Sequence, residues 1–143
     1  MKNQKTKGFT LIELLVVIAI IGILSTLAVV ALNSARSKAR DAKRVADIKQ
    51  VQTALELYYN DASSYPVTTG TLGATGYEAL CGGGFVTGCG TATVYMGQVP
   101  KDPSTGSYTY TGAANTYGIT FNLEGAVGDL LIGDHVANQN GMQ

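Results

Sequence analysis

The sequence predicts an α+β fold. One long N-terminal helix, its first half suited to a membrane and its second half amphipathic, packs on a small antiparallel β-sheet. Three observations carry this expectation. Leu14–Leu32 is a run of nineteen residues without a charge. Asn33–Asn60 follows it with neither glycine nor proline. Beyond residue 90 the apolar residues alternate in short segments broken by Gly, Pro and Asn, the period-two pattern of half-buried strands.

The apolar run comes first. At 1.5 Å per helical residue it spans roughly 28 Å, close to the ~30 Å hydrocarbon core of a bilayer. A basic segment with Lys2, Lys5 and Lys7 precedes it. A conventional secretory signal has an apolar region of ~7–15 residues followed by a small-residue cut. Val29-Val30-Ala31 would serve as that cut, but the run is overlong and carries Glu13 at its start. An uncut signal anchor is the other plain reading. A carboxylate costs roughly 2.5–3.5 kcal/mol at the bilayer centre and less near the interface, so an intramembrane acid is a functional candidate by default. A positive charge created by cleavage just ahead of it would be its natural partner.

Lys7-Gly8-Phe9-Thr10-Leu11-Ile12-Glu13-Leu14-Leu15-Val16-Val17 resembles the class III signal of type IV pilins and type II secretion pseudopilins. The features that match are a small residue before the cut, Phe after it, an acid four residues further on, and then a continuous apolar helix. The resemblance implies a pilin-like lollipop and cleavage between Gly8 and Phe9 by a membrane prepilin peptidase. It also implies N-methylation of Phe9 and a role for Glu13 in assembly. Its organisation would be a leader at 1–8, a transmembrane and assembly helix at 9–32, an amphipathic continuation at 33–60 and a globular head at 61–143. Implied partners are copies of the same chain in a helical filament, an inner-membrane assembly platform and an assembly ATPase. The chain would cross the cytoplasmic membrane once with its head outside the cytoplasm, then join an extracellular or periplasmic filament. Physically, a free α-amine has a pKa near 8, so Phe9 of one subunit can neutralise Glu13 of its neighbour. Low dielectric strengthens that attraction while desolvation offsets part of it. The pair then acts as a register device, because a misplaced subunit leaves an acid unpaired in lipid. The alternative is that Glu13 only snorkels to the headgroups.

Basic residues pull against the expected orientation. Lys2, Lys5 and Lys7 favour a cytoplasmic N-terminus, but Arg36, Lys38, Arg40, Lys43, Arg44 and Lys49 follow the apolar run. Counting basic residues alone predicts the reverse topology. This stretch has no aromatic side chains to stack on bases, so no nucleic-acid partner is expected. Asp41 with Arg44, and Lys43 with Asp47, have intrahelical ion-pair spacing, which suits a solvated helix face or a surface that meets acidic neighbours. Ala35, Ala39 and Ala42 form a small-residue stripe. Val45, Ile48, Val51 or Gln52, Leu55 and Tyr58 or Tyr59 continue an apolar face at helical period. As one helix, residues 9–60 would measure roughly 78 Å, more than a domain of this size can bury. Gly22 is a site for local unwinding or close helix approach. Where many type IV pilins carry proline, this chain has Val30, so no proline kink is expected.

Past residue 50, Lys101 faces Glu56, Asp61, Glu78, Asp102, Glu124, Asp129 and Asp134. An acidic head on a basic stem favours head-to-stem attraction between subunits, screened over about 8–10 Å in physiological salt. Eight glycines between Gly70 and Gly90 predict a mostly irregular first half of the head. Thr91–Met96, Ser107–Thr111 and Tyr117–Leu123 read as strands, the last two joined by a hairpin through Gly112–Asn115. Leu130–Ile132 is a candidate fourth strand, and His135–Gln143 an exposed strand or disordered end. The sheet would cover Val45–Tyr59, giving a core near the lower limit for independent stability. Cys81 and Cys89 bracket a seven-residue, glycine-rich segment. In a translocated head they read as one disulfide, with buried reduced thiols as the alternative.

Val99-Pro100-Lys101-Asp102-Pro103 and Tyr108-Thr109-Tyr110 are similar to the Pro-x-Asp-Pro…Tyr-x-Tyr stretch of major pseudopilins. Such proteins often bind calcium in a C-terminal loop. Glu124, Asp129 and Asp134 would be the oxygen donors here, but Gly125–Gly128 departs from the usual loop, so no metal or other cofactor is expected. A lone His135 and the absence of a phosphate-binding Gly-Lys-Ser/Thr sequence argue against catalysis. Three functions follow. The first is a structural subunit of a type IV pilus-like filament. The second is the major pseudopilin of a type II secretion system. The third, of another class, is a monomeric membrane-anchored binding module.

Overall fold

The computed structural model describes residues 8–143; most of the expected leader, residues 1–7, lies outside the described residues. A single helix, α1, runs Leu11–Ala62. It starts two residues later than expected because Thr10 caps it, and it ends two residues later. Ser63 closes it in the left-handed region, at φ 54°, and donates its backbone N–H to the Tyr59 carbonyl at 2.8 Å. Gly22 lies within continuous helix. The chain divides into two compact units, one ending at Arg36 and the other Ser37–Gln143.

In the first unit every described residue is exposed. Val17, the least exposed large apolar side chain between Leu11 and Leu32, still shows 46% of its surface. An 18-residue window of α1 reaches a mean hydropathy of 3.0 with none of it buried. One helix is thus long and apolar enough to cross a membrane.

The second unit holds the core. The helix buries Asp41, Arg44, Asp47, Ile48, Val51, Ala54, Leu55 and Tyr58, spacings of three and four that keep one face inward. Against that face lies a five-stranded sheet of order β1-β5-β6-β7-β8, every neighbouring pair antiparallel. Its strands are β1 (Thr69–Thr71), β5 (Thr109–Ala113), β6 (Thr116–Leu123), β7 (Gly133–Asn138) and β8 (Gly141–Met142). β6 sends Tyr117, Ile119, Phe121 and Leu123 into the core and alternates them with Thr116, Gly118, Thr120 and Asn122. A separate three-stranded sheet, order β3-β2-β4, comprises β2 (Ala79–Cys81), β3 (Gly84–Val86) and β4 (Val94–Met96).

The sequence-based expectation of one sheet needs correction to two. Residues 69–86 hold β1, β2 and β3 where irregular chain was expected. Each has only three residues, too few to show a period among glycines. Leu130–Ile132 is not a strand. The next strand is β7, in the tail expected as an exposed strand or disordered end; it buries Ala137 alone and so lacks an apolar pattern. The tail folds back as β8, with Val136 and Gln143 exchanging backbone hydrogen bonds at 3.0 Å. The β5–β6 hairpin is tighter than expected, with Ala113 paired to Thr116 around Ala114-Asn115. In β5, position 112 must be glycine, since a Cβ there would collide with the Pro66 carbonyl and the Tyr110 hydroxyl. That hydroxyl donates to the Pro66 carbonyl at 2.9 Å, tying the connector after α1 to the sheet. Cys81 and Cys89 are joined in a disulfide with their Cα atoms 5.5 Å apart.

Candidate functional site

The chain's two concentrations of polar chemistry sit in different units. The first is the N-terminal junction. Gly8, Phe9 and Thr10 precede the first helical turn, and Phe9 is 83% exposed. Thr10 and Glu13 then form a reciprocal cap. The Thr10 backbone N–H donates to Glu13 Oε2 at 2.8 Å, and the Thr10 hydroxyl donates to the same oxygen at 2.7 Å. In return the Glu13 N–H donates to Thr10 Oγ1 at 3.3 Å. The acid thereby satisfies a helix-terminal donor and complements the positive end of the helix dipole. Glu13 is thus held by Thr10 of its own chain, while Gly8 and Phe9 lie just ahead of the cap and exposed. Thr10 was missed by the sequence reading. Its signal was present, because Thr-x-x-Glu before an apolar run is a capping-box pattern.

The second concentration is a seam centred on Arg44, whose side chain is only 4% exposed. Its Nε donates to Asp102 Oδ2 at 2.7 Å and its Nη2 to Asp102 Oδ1 at 3.1 Å. Nη1 donates to Asp41 Oδ1 at 2.6 Å and to Glu124 Oε1 at 2.7 Å. Nη2 also donates to Ser104 Oγ at 2.6 Å. Asp41 accepts the backbone N–H groups of Glu124 and Gly125 at 3.0 and 2.8 Å. Arg40 Nε donates to Glu124 Oε1 at 2.8 Å, and Arg40 Nη2 pairs with Glu124 Oε2. The helix is thus fastened to the 102–104 and 124–125 loops.

The electrostatics follow from these contacts. Hydrogen bonds from Arg40 and then Arg44 bring the Glu124 carboxyl down to about 2. Burial pushes Asp102 up, but the bonds from Arg44 and Ser104 outweigh it and leave its pKa lowered. Bonds from Asp102 act against burial and raise the Arg44 guanidinium well above its ordinary value. A buried ion pair is a weak source of net stability, but removing one partner is costly. The seam therefore acts mainly to fix which loops meet the helix. The sequence spacing did identify Asp41–Arg44 and Lys43–Asp47, found at 2.6 and 2.8 Å. Of the two readings given to this face, the solvated one fails, because Asp41, Arg44 and Asp47 are buried, while the surface that meets acidic neighbours agrees with Arg44 on Asp102 and Glu124. Asp102 and Glu124 lie 58 and 80 residues from Arg44, beyond any local pattern.

The suggested oxygen donors diverge. Glu124 turns to Arg40 and Arg44, while Asp134 accepts from Asn122 Nδ2 at 2.8 Å. Among the described residues no group of three or more His, Cys, Asp or Glu side chains is arranged to hold a metal. His135 places its ring nitrogens 2.7 Å from the Leu131 carbonyl and 3.0 Å from the Gln143 carbonyl. It binds the β7–β8 hairpin and the preceding loop. Cys81 lies at the end of β2 and Cys89 in the loop after β3.

A capped, bare apolar helix that continues into an α+β unit is the architecture of the pilin class. The profile of the prokaryotic N-terminal methylation motif matches residues 3–29. That of type II secretion system protein G matches residues 31–129. The chain belongs to the type II secretion system protein G family, the pseudopilins. It is 32% identical over 122 residues to the type II secretion system core protein G of Vibrio cholerae, covering 76% of this chain and 73% of that one. It is 40% identical over 68 residues to the core protein G of Klebsiella michiganensis, covering 48% of each. For the Dickeya chrysanthemi core protein G the figures are 42% over 72 residues, 50% of this chain and 47% of that one. The chain thus spans about half the length of these last two relatives. No solved structure matches it.

Proposed function

We propose that this chain is the major pseudopilin of a type II protein secretion system, the second of the functions read from the sequence, in preference to a type IV pilus subunit. The single observation that carries this is the protein G profile match across residues 31–129, which takes in the stem's second half and most of the head. The methylation motif at residues 3–29 supports processing by a prepilin peptidase between Gly8 and Phe9. Phe9 would be N-methylated, and Glu13 would pair with the Phe9 amine of an adjoining copy. The exposed Leu11–Leu32 side chains support one membrane pass, followed by burial of that segment among like helices in a short filament raised by an assembly platform and its ATPase. The role of the chain is structural rather than enzymatic.

The test is deletion of the gene in its own host, with complementation by the intact chain. Loss of secreted proteins from the medium, with long surface filaments unaffected, is the expected outcome. Loss of long filaments with normal secretion would return the chain to the pilus reading. Mass spectrometry of the mature protein should find N-methylated Phe9 at its start; a chain starting at Met1 would overturn the processing step.

A further inference from the structure

We propose that the head loop Asp129–Asp134 docks on the stem of a second copy of this chain, against the helix stripe Val29, Leu32 and Arg36. This deepens the assembly reading above and rests on it. Leu131 and Ile132 are adjacent in that loop and each is 71% exposed. The segment is held in shape: Val127 and Leu130 exchange backbone hydrogen bonds at 2.9 and 3.1 Å, and the His135 ring fixes the Leu131 carbonyl. Two large apolar side chains on a preorganised loop lose little entropy when they dock. Asp129 and Asp134 flank them, and among the described residues neither is in a salt bridge.

The stem offers the complement. Val29, Leu32 and Arg36 fall at i, i+3 and i+7 on one helix face. Val29 and Leu32 are 58% and 51% exposed, and Arg36 is exposed with no salt bridge among the described residues. An apolar pair flanked by acids thus matches an apolar pair followed by a base. A second copy also answers a need of the stem. Val29 and Leu32 close the apolar run on the side towards the head, and once drawn out of lipid they require apolar cover.

The test uses the full-length chain in its host, with cells producing an Ile132→Cys copy and a Leu32→Cys copy together. The native cysteines are already joined to each other. Oxidation should trap a dimer in the assembled material on the order of tenfold more than a Val67→Cys control does, because docking raises local concentration; Val67 is 72% exposed. Separately, Leu131→Ser/Ile132→Ser should lower filament recovery by about tenfold or more while the membrane pool of the chain keeps its normal level. Intact assemblies without the cross-link, a cross-link from Ile132→Cys to a different protein, or undiminished filaments from the double variant would each overturn this contact alone. Absence of any assembly by the unsubstituted chain would overturn the function proposed above, and the contact with it.

Discussion

The two halves of α1 solve opposite problems. Between Leu11 and Leu32 the helix is at its most apolar and buries nothing; between Ser37 and Ala62 it is charged and less apolar, yet it carries the core. Hydrophobicity alone therefore does not say which half holds the fold together. In the second half a narrow stripe, Ile48, Val51, Leu55 and Tyr58, is fully used, and the buried face also includes Asp41, Arg44 and Asp47. In the first half apolar residues surround the helix, the pattern of a segment that meets lipid or other helices on all sides.

Substitutions can break or sharpen this contrast. The largest effect is expected at the seam. Arg44→Leu strands Asp41 and Asp102 in the interior and should destabilise the Ser37–Gln143 unit by about 3–5 kcal/mol. Urea unfolding of the detergent-solubilised chain, followed by tyrosine fluorescence, reads this directly, because the protein has eight tyrosines and no tryptophan. A change below about 1 kcal/mol would mean the cluster behaves as an exposed surface pair. Next comes a matched pair within the helix. Leu55→Ala should cost about 2–5 kcal/mol, whereas Ile18→Ala should stay within about 0.5 kcal/mol, as for a site away from the core. Equal losses in the same assay would erase the distinction between the halves.

A smaller effect belongs to the glycine-rich loop. Cys89→Ser should lower the stability of the same unit by about 2–3 kcal/mol through lost loop restraint, checked by the urea midpoint with and without reductant. The smallest is a pH dependence. Glu124 has its carboxyl lowered from an ordinary 4.5 to about 2. A group depressed in the folded state stabilises fully above its unfolded value and loses that contribution as pH falls through its folded value. Melting temperature should therefore drop between about pH 4.5 and 2, and Glu124→Gln should flatten that drop. A curve unchanged by the substitution would remove Glu124 from the seam.

The elements legible in the sequence are those with local signals. The helix ends fell within two residues of expectation, and β6 was read from Tyr117, Ile119 and Phe121 alternating with polar residues. Cys81 and Cys89 were close enough in sequence for their bond to be anticipated. What escaped notice depends on distance or brevity. β7, with a single buried side chain, Ala137, was anticipated only in part, as an exposed strand or disordered end at 135–143, and strands of two or three residues have no measurable period. Arg44 looked like one end of an i,i+3 pair because Asp102 and Glu124 arrive only when the sheet folds over the helix. Thr10 is the exception, since its pattern was local and was passed over in favour of Glu13 alone.

The reciprocal cap has one more consequence. By holding the first helical turn at Leu11, it leaves Gly8 and Phe9 as free-standing backbone. The Gly8–Phe9 peptide bond therefore lies outside the helix, and its backbone groups take no part in the helical hydrogen bonds that begin with Leu14 N–H donating to the Thr10 carbonyl.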